Sequence, residues 1–204
     1  MLHGFSGQGD NYAHFAKTNV LSKNARVVCP SGAMFQVKDF TGVMKTICKN
    51  FHPGKKEVHS WTDQGHPVES IKGTIQRIWA IIDAEALKLN GDTKKIFICG
   101  HSQGANVALQ TALGYSKPLG GMVAMMNFAV KCEFGRHQAN VATPIFAIFG
   151  KKDDICKIDN LQKQANHEIS QKGNRLTVEV WEKQGHLYDV PVITRVNAWT
   201  LSKL

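Results

Sequence analysis

The pentapeptide Gly100-His101-Ser102-Gln103-Gly104 constrains this chain more than any other stretch. It follows the short apolar run Ile96-Phe97-Ile98-Cys99 and opens a run of small and apolar residues, Ala105 to Leu113, that reads as a helix. Strand, G-x-S-x-G, helix is the setting of a nucleophile elbow. In such a turn the serine sits on a strained backbone with its hydroxyl exposed. Gly100 and Gly104 let strand and helix approach where no side chain would fit. The helix N-terminus beneath the serine favours developing negative charge. The other reading of these five residues is a glycine-rich turn carrying a surface serine.

Strands and helices alternate on either side of the elbow. Ile71, Ile75, Ile78, Trp79, Ile82, Ala86 and Leu89 repeat at helical spacing, and Asn90-Gly91 supplies the stop. Beyond the elbow, Met122–Met126, Ile145–Phe149 and Leu176–Trp181 read as strands. Helices are expected from Ile158 to Gln171 and from Val192 to Leu204, the latter opened by Pro191. Before it, Tyr12–Leu21 reads as a short helix capped by Asp10 or Asn11, and Ala25–Cys29 as a short buried strand. Ser31 to His66 shows no regular pattern. The alternation predicts the α/β class, with a mostly parallel sheet covered by helices on both faces. A length of 204 residues is most simply one domain, 1–204. The loops after the elbow strand, after Phe149 and after Trp181 should all open on the C-terminal edge of that sheet.

A serine hydroxyl is a poor nucleophile until a base takes its proton, and the base is usually a histidine held by a carboxylate. The order Ser…Asp…His places acid and base on later strand ends. Gly150-Lys151-Lys152-Asp153-Asp154 follows one strand, and Gln184-Gly185-His186 follows the last. His186 is therefore the candidate base. Either Asp153 or Asp154 fits the acid by position. His101, adjacent to the serine, is directed wrongly for a base and reads as a packing or rim residue. The oxyanion formed on attack needs two aimed N–H groups. Gln103 supplies one, and Phe5, in the loop His3-Gly4-Phe5, supplies the other. No Gly-Lys-Ser/Thr follows that glycine-rich loop, so it does not read as a phosphate cradle.

The formal charge of +9 is spread over scattered lysine pairs without interleaved aromatics, which argues against nucleic acid and allows at most peripheral attraction to an anionic membrane. No apolar stretch approaches the roughly 20 residues of a membrane span. Met1 does not open an export signal. The 5 cysteines are odd in number and show no metal spacing, so a cytoplasmic chain with reduced thiols and without metal or organic cofactor is expected.

Taken together, these stretches resemble the acyl-protein thioesterase group within the phospholipase/carboxylesterase family of α/β-hydrolases. The resemblance is carried by Leu2-His3-Gly4-Phe5-Ser6-Gly7, Cys29-Pro30, Ser60-Trp61-Thr62-Asp63, the elbow, Gly150-Lys151-Lys152-Asp153 and Gly185-His186. They run in family order across nearly the whole chain. The family's acid lies three residues after the glycine, which implies Asp153 rather than Asp154. Ser102 and His186 take the places of the family's serine and histidine. The Ser-Trp-x-Asp stretch resembles the segment beside the active-site mouth, so Trp61 either lines the substrate groove or packs the loop as a half-buried aromatic. Ala105 replaces the family's second glycine, and His101 stands where phenylalanine is common. Only Met1 and Leu2 precede the loop where the family has a strand. The expectation is an α/β-hydrolase sheet lacking its N-terminal strand or strands, an N-terminally truncated domain with a loosely held Gly4 loop. The implied activity is hydrolysis of carboxylic esters or thioesters, with a lipidated protein, a lysophospholipid or a small ester as substrate. The alternative is a non-catalytic binding protein on the same fold.

Overall fold

A computed structural model describes residues 1–18, 25–63, 67–128, 135–159, 161, 165, 169 and 173–204. Its centre is a parallel sheet of four strands, β3 (Phe97–His101), β4 (Gly121–Met125), β5 (Ile145–Gly150) and β6 (Leu176–Trp181), in that spatial order. Successive side chains leave a strand on opposite faces, and both faces here are apolar. Met122, Ala124, Ile145, Ala147 and Phe149 join the core beneath the helices α3 (Pro67–Leu87) and α4 (Gln103–Gly114). Val123, Met125, Phe146 and Ile148 meet Val192, Ile193, Val196 and Trp199 of the closing helix α5 (Val190–Leu201). Each such fully buried aliphatic or phenyl side chain stabilises the fold by roughly 1.5–3 kcal/mol.

Helix ends follow local chemistry. Asp189 caps α5 by accepting from the Val192 N–H, with Pro191 in the first turn. Asn90 and Gly91 both take positive φ (54° and 80°), which ends the helical path after Leu87. Beyond β5, Ile158 and Asp159 are helical, and Leu161, Ala165 and Ile169 are buried in the core at a spacing of four; the other residues of the helix expected over 158–171 lie outside the described residues.

The first third differs from its sequence reading. Helix α1 spans Gly9–Thr18, so Asp10 and Asn11 lie inside its first turn rather than capping it, and the Gly9 N–H is taken by the Ser31 hydroxyl. Residues 25–29 form no strand; the chain terminus at Met1 instead donates to the Val28 carbonyl at 2.6 Å. The stretch expected to be irregular folds into an antiparallel pair, β1 (Ala33–Gln36) and β2 (Glu57–Ser60), joined through helix α2 (Gly42–Phe51). Its apolar residues missed by periodicity, Phe35, Val37, Phe40, Met44, Ile47 and Cys48, close on Val58 and Phe5 as a separate small core. Leu2 makes a single parallel bridge to Gly100 at the outer edge of β3. Among the described residues no helix is long and apolar enough to cross a membrane.

Candidate active site

The elbow has the geometry that its glycines predict. Ser102 sits at φ 52° and ψ −120°, a conformation side chains rarely adopt, with its N–H held by the Met125 carbonyl at 2.9 Å. A Cβ on Gly100 would lie 2.1 Å from the Gly104 carbonyl oxygen, and one on Gly104 would lie 2.4 Å from that of His3. Neither position has room for alanine.

The loops after β5 and β6 are stitched together by main chain. Lys151 N–H donates to Trp181 O at 3.0 Å and Lys152 N–H to Gln184 O at 2.9 Å. A Cβ on Gly150 would come within 2.3 Å of the Gln184 oxygen. This close approach brings Asp153 beneath His186. Asp153 Oδ2 lies 2.8 Å from His186 Nδ1, and His186 Nε2 lies 2.8 Å from Ser102 Oγ. Asp153 Oδ1 accepts from the N–H groups of Ile155 at 2.9 Å and Cys156 at 2.7 Å, which fixes the carboxylate. Asp154 is exposed, and the bond to His186 is made by Asp153. Cys156 joins Asp153 and His186 in a group of possible metal ligands within 4.8 Å of one another, which sequence spacing did not suggest. Asp153 and His186 spend those atoms on each other, and burial, then the Asp153 charge, push the Cys156 thiol up to about 12.

On the opposite side of Ser102 runs the loop carrying Phe5. It is held largely by side chains. The Trp61 indole N–H donates to the His3 carbonyl at 2.7 Å, and its ring stacks on His3 at 4.5 Å. His3 Nε2 accepts from the Gly32 N–H at 2.8 Å, so Nδ1 carries the proton and donates to the Gly4 carbonyl at 2.7 Å. Burial lowers the His3 pKa to about 4, which keeps the ring neutral. The Gln103 side chain accepts from the Trp61 N–H at 3.1 Å and donates to Ser60 Oγ at 2.9 Å, tying the elbow to the end of β2. Trp61 is only 1% exposed and packs its ring against His3 of this loop. The N–H groups of Phe5 and Gln103 donate to no protein acceptor among the described residues.

Sequence reasoning missed Tyr12, His3 as a side chain, and the contacts of His101. All three are polar groups buried near Ser102; only His3, a polar residue in the glycine-rich loop, carried even a weak signal. An apolar cavity of about 510 Å³ against the outer edge of β3 is lined by residues such as Ile78, Phe97 and Val196 and by none of Ser102, Asp153 or His186. Its position sets it apart from this chemistry.

A parallel sheet with a strained serine turn at one strand end, and carboxylate and histidine loops at two others, defines the α/β-hydrolase fold. Residues 1–200 match the phospholipase/carboxylesterase family, and the chain belongs to that family of ester hydrolases. The fold is similar to that of Arabidopsis thaliana SOBER1, at 22% identity and TM-score 0.75, covering 99% of this chain and 96% of that one. It is also similar to Zea mays acyl-protein thioesterase 2 (16% identity, TM-score 0.75, 99% and 91% covered) and to a Bacillus cereus carboxylesterase (17%, 0.71, 100% and 87%).

Proposed function

We propose that this chain is a serine hydrolase of carboxylic esters or thioesters bearing an apolar acyl group. The observation that carries the reading is the unbroken relay from Ser102 Oγ through His186 to Asp153, 2.8 Å at each step. His186 Nε2 takes the serine proton as Oγ attacks the carbonyl carbon. Asp153 holds the Nδ1–H tautomer and stabilises the imidazolium that forms. The N–H groups of Phe5 and Gln103 hold the oxyanion, each worth about 10²–10³ in rate in comparable sites. His186 then returns the proton to the leaving oxygen or sulfur, giving an acyl-enzyme at Ser102. Water, deprotonated by the same nitrogen, hydrolyses it. No step calls for a metal or organic cofactor.

An apolar acyl group is supported by what surrounds the mouth. Leu187, beside His186, is 68% exposed, and Phe51 and Met34 on the β1–β2 side are 58% and 50% exposed. His52, next to Phe51, lies 2.8 Å from the Ser6 hydroxyl, so this side of the mouth adjoins the Phe5 loop. A fluorophosphonate probe should label Ser102 in the folded protein, and Ser102→Ala should abolish turnover of a panel of acyl esters and thioesters of graded length. Hydrolysis retained by that variant would refute the serine mechanism. Adding a lysophospholipid and an acylated protein to the panel separates protein thioester, lysophospholipid and small-ester preferences.

A further inference from the structure

The residue of the elbow that this mechanism leaves idle is His101. It is 4% exposed, at the C-terminal end of β3 directly before Ser102. Its Nε2 lies 2.7 Å from the carbonyl oxygen of His186. A carbonyl only accepts, so Nε2 carries the proton. Nδ1 is then an acceptor, and it takes the Tyr12 hydroxyl at 3.1 Å. The Tyr12 oxygen in turn accepts from the Gly4 N–H at 2.9 Å. Burial above all keeps the imidazole neutral, lowering its pKa to about 4. Tyr188 closes the group, its ring edge-on to His101 at 4.9 Å and 5.4 Å from that of Tyr12. The fit is tight, since a Cβ on Gly4 would stand 2.9 Å from His101 Nδ1.

One ring thus joins two separate strands of the machinery. On one side it holds the main chain of the candidate base. On the other, through Tyr12, it holds the peptide immediately before the Phe5 N–H. We propose that His101 is a positioning residue for hydrolysis, setting His186 and the Phe5 oxyanion donor in a common register about Ser102. The proposal rests on the reading of Ser102, His186 and Asp153 as a triad. Its physical basis is the sensitivity of such chemistry to placement, where about 1 Å of displacement can cost ~10²-fold in rate. Phenylalanine would fill the same space and make neither bond. Glutamine keeps both a donor for the His186 carbonyl and an acceptor for Tyr12.

The test compares wild type, His101→Phe and His101→Gln by kcat, KM, melting temperature and rate of fluorophosphonate labelling. For His101→Phe, kcat and the labelling rate should fall by roughly 10- to 100-fold with KM within about twofold. His101→Gln should recover most of the loss. A His101→Phe enzyme within about twofold of wild-type kcat overturns the proposal, as does a glutamine variant that falls equally far, for then the ring serves packing alone. Should the phenylalanine variant not fold, Tyr12→Phe decides. It leaves His101 in place and should lower kcat by about tenfold at constant KM, and an unchanged kcat overturns the proposal. Labelling of wild type separates the two readings. If wild type is not labelled at Ser102, the triad fails and the proposal with it; if it is labelled and His101→Phe reacts equally fast, only the proposal fails.

Discussion

The two sides of the candidate site are held by different means. On the acid–base side, main chain grips main chain: Ser102 N–H on Met125, Lys151 on Trp181, Lys152 on Gln184. Glycines at 100 and 150 permit that contact by leaving out a Cβ, while Gly104 makes room for the main chain of Leu2 and His3 on the other side. On the Phe5 side, beyond the Leu2 bridge to β3 and a main-chain bond from Ser6 N–H to His59 O at 2.9 Å, the loop is braced by an indole, two imidazoles, a phenol and an amide. Main-chain stitching tolerates many side chains and forbids few. Side-chain bracing depends on the identity and the protonation state of each brace. The acid–base side should therefore fail through loss of chemistry, and the Phe5 side through loss of alignment.

The largest expected effect breaks the first side. Asp153→Asn should preserve the fold, because Oδ1 can still accept its two N–H bonds. It removes the charge that orients His186, a loss of about 10⁴ in kcat in a comparable triad. Asp154→Asn, on an exposed side chain, should stay within about twofold of wild type. Steady-state kinetics on one short ester suffices, and a more damaging Asp154→Asn would reverse the assignment of the acid.

The same contrast explains what could be read from sequence. The α/β sheet was legible because β4 and β5 are continuous apolar runs, β3 runs into the elbow motif and β6 alternates, and the candidate residues lie a few positions beyond β3, β5 and β6. The β1–β2 hairpin was not legible. Its strands are four residues each, with burial that does not alternate cleanly, and the apolar residues of α2 are interleaved with lysines. Periodicity needs more turns than these elements contain. Asp153 and Asp154 were equivalent by position. Only the family resemblance favoured Asp153 in the sequence; in three dimensions the Gly150–Gln184 approach turns Asp153 beneath His186. The braces of the Phe5 side were illegible because their partners lie 29 to 89 residues apart in sequence.

A smaller effect sharpens the comparison through pH. His3 and His101 both have folded pKa values lowered to about 4 against 6.5 in the unfolded chain. Between those values the unfolded state binds more protons, so acid favours unfolding. The stability tied to keeping each ring neutral is complete above pH 6.5 and is lost as pH falls towards 4. At pH 5 that amounts to about 2 kcal/mol per histidine. Denaturant midpoints measured from pH 7.5 to 5 should fall accordingly. Removing one of the two rings should flatten the slope by about half. A midpoint constant over this range would show that the buried rings do not brace the fold as neutral groups.

The smallest effect concerns Trp61, for which groove wall and loop brace make opposite forecasts. Trp61→Phe keeps an aromatic face against His3 and deletes only the indole N–H, leaving the His3 carbonyl without its 2.7 Å donor. A buried carbonyl left unpaired costs about 1–3 kcal/mol. Part of that should appear as lowered melting temperature, and part as drift of the Phe5 loop, a fall in kcat of roughly three- to tenfold. A brace acts before the acyl chain is felt, so the fall should be the same for short and long esters, with KM unchanged. A groove wall would instead lose apolar contact that grows with the substrate, so KM would rise with each added pair of methylenes while kcat for the shortest ester held. Esters of two, six and twelve carbons, assayed on wild type and Trp61→Phe, distinguish the two. A KM effect that climbs with chain length would place Trp61 along the acyl groove.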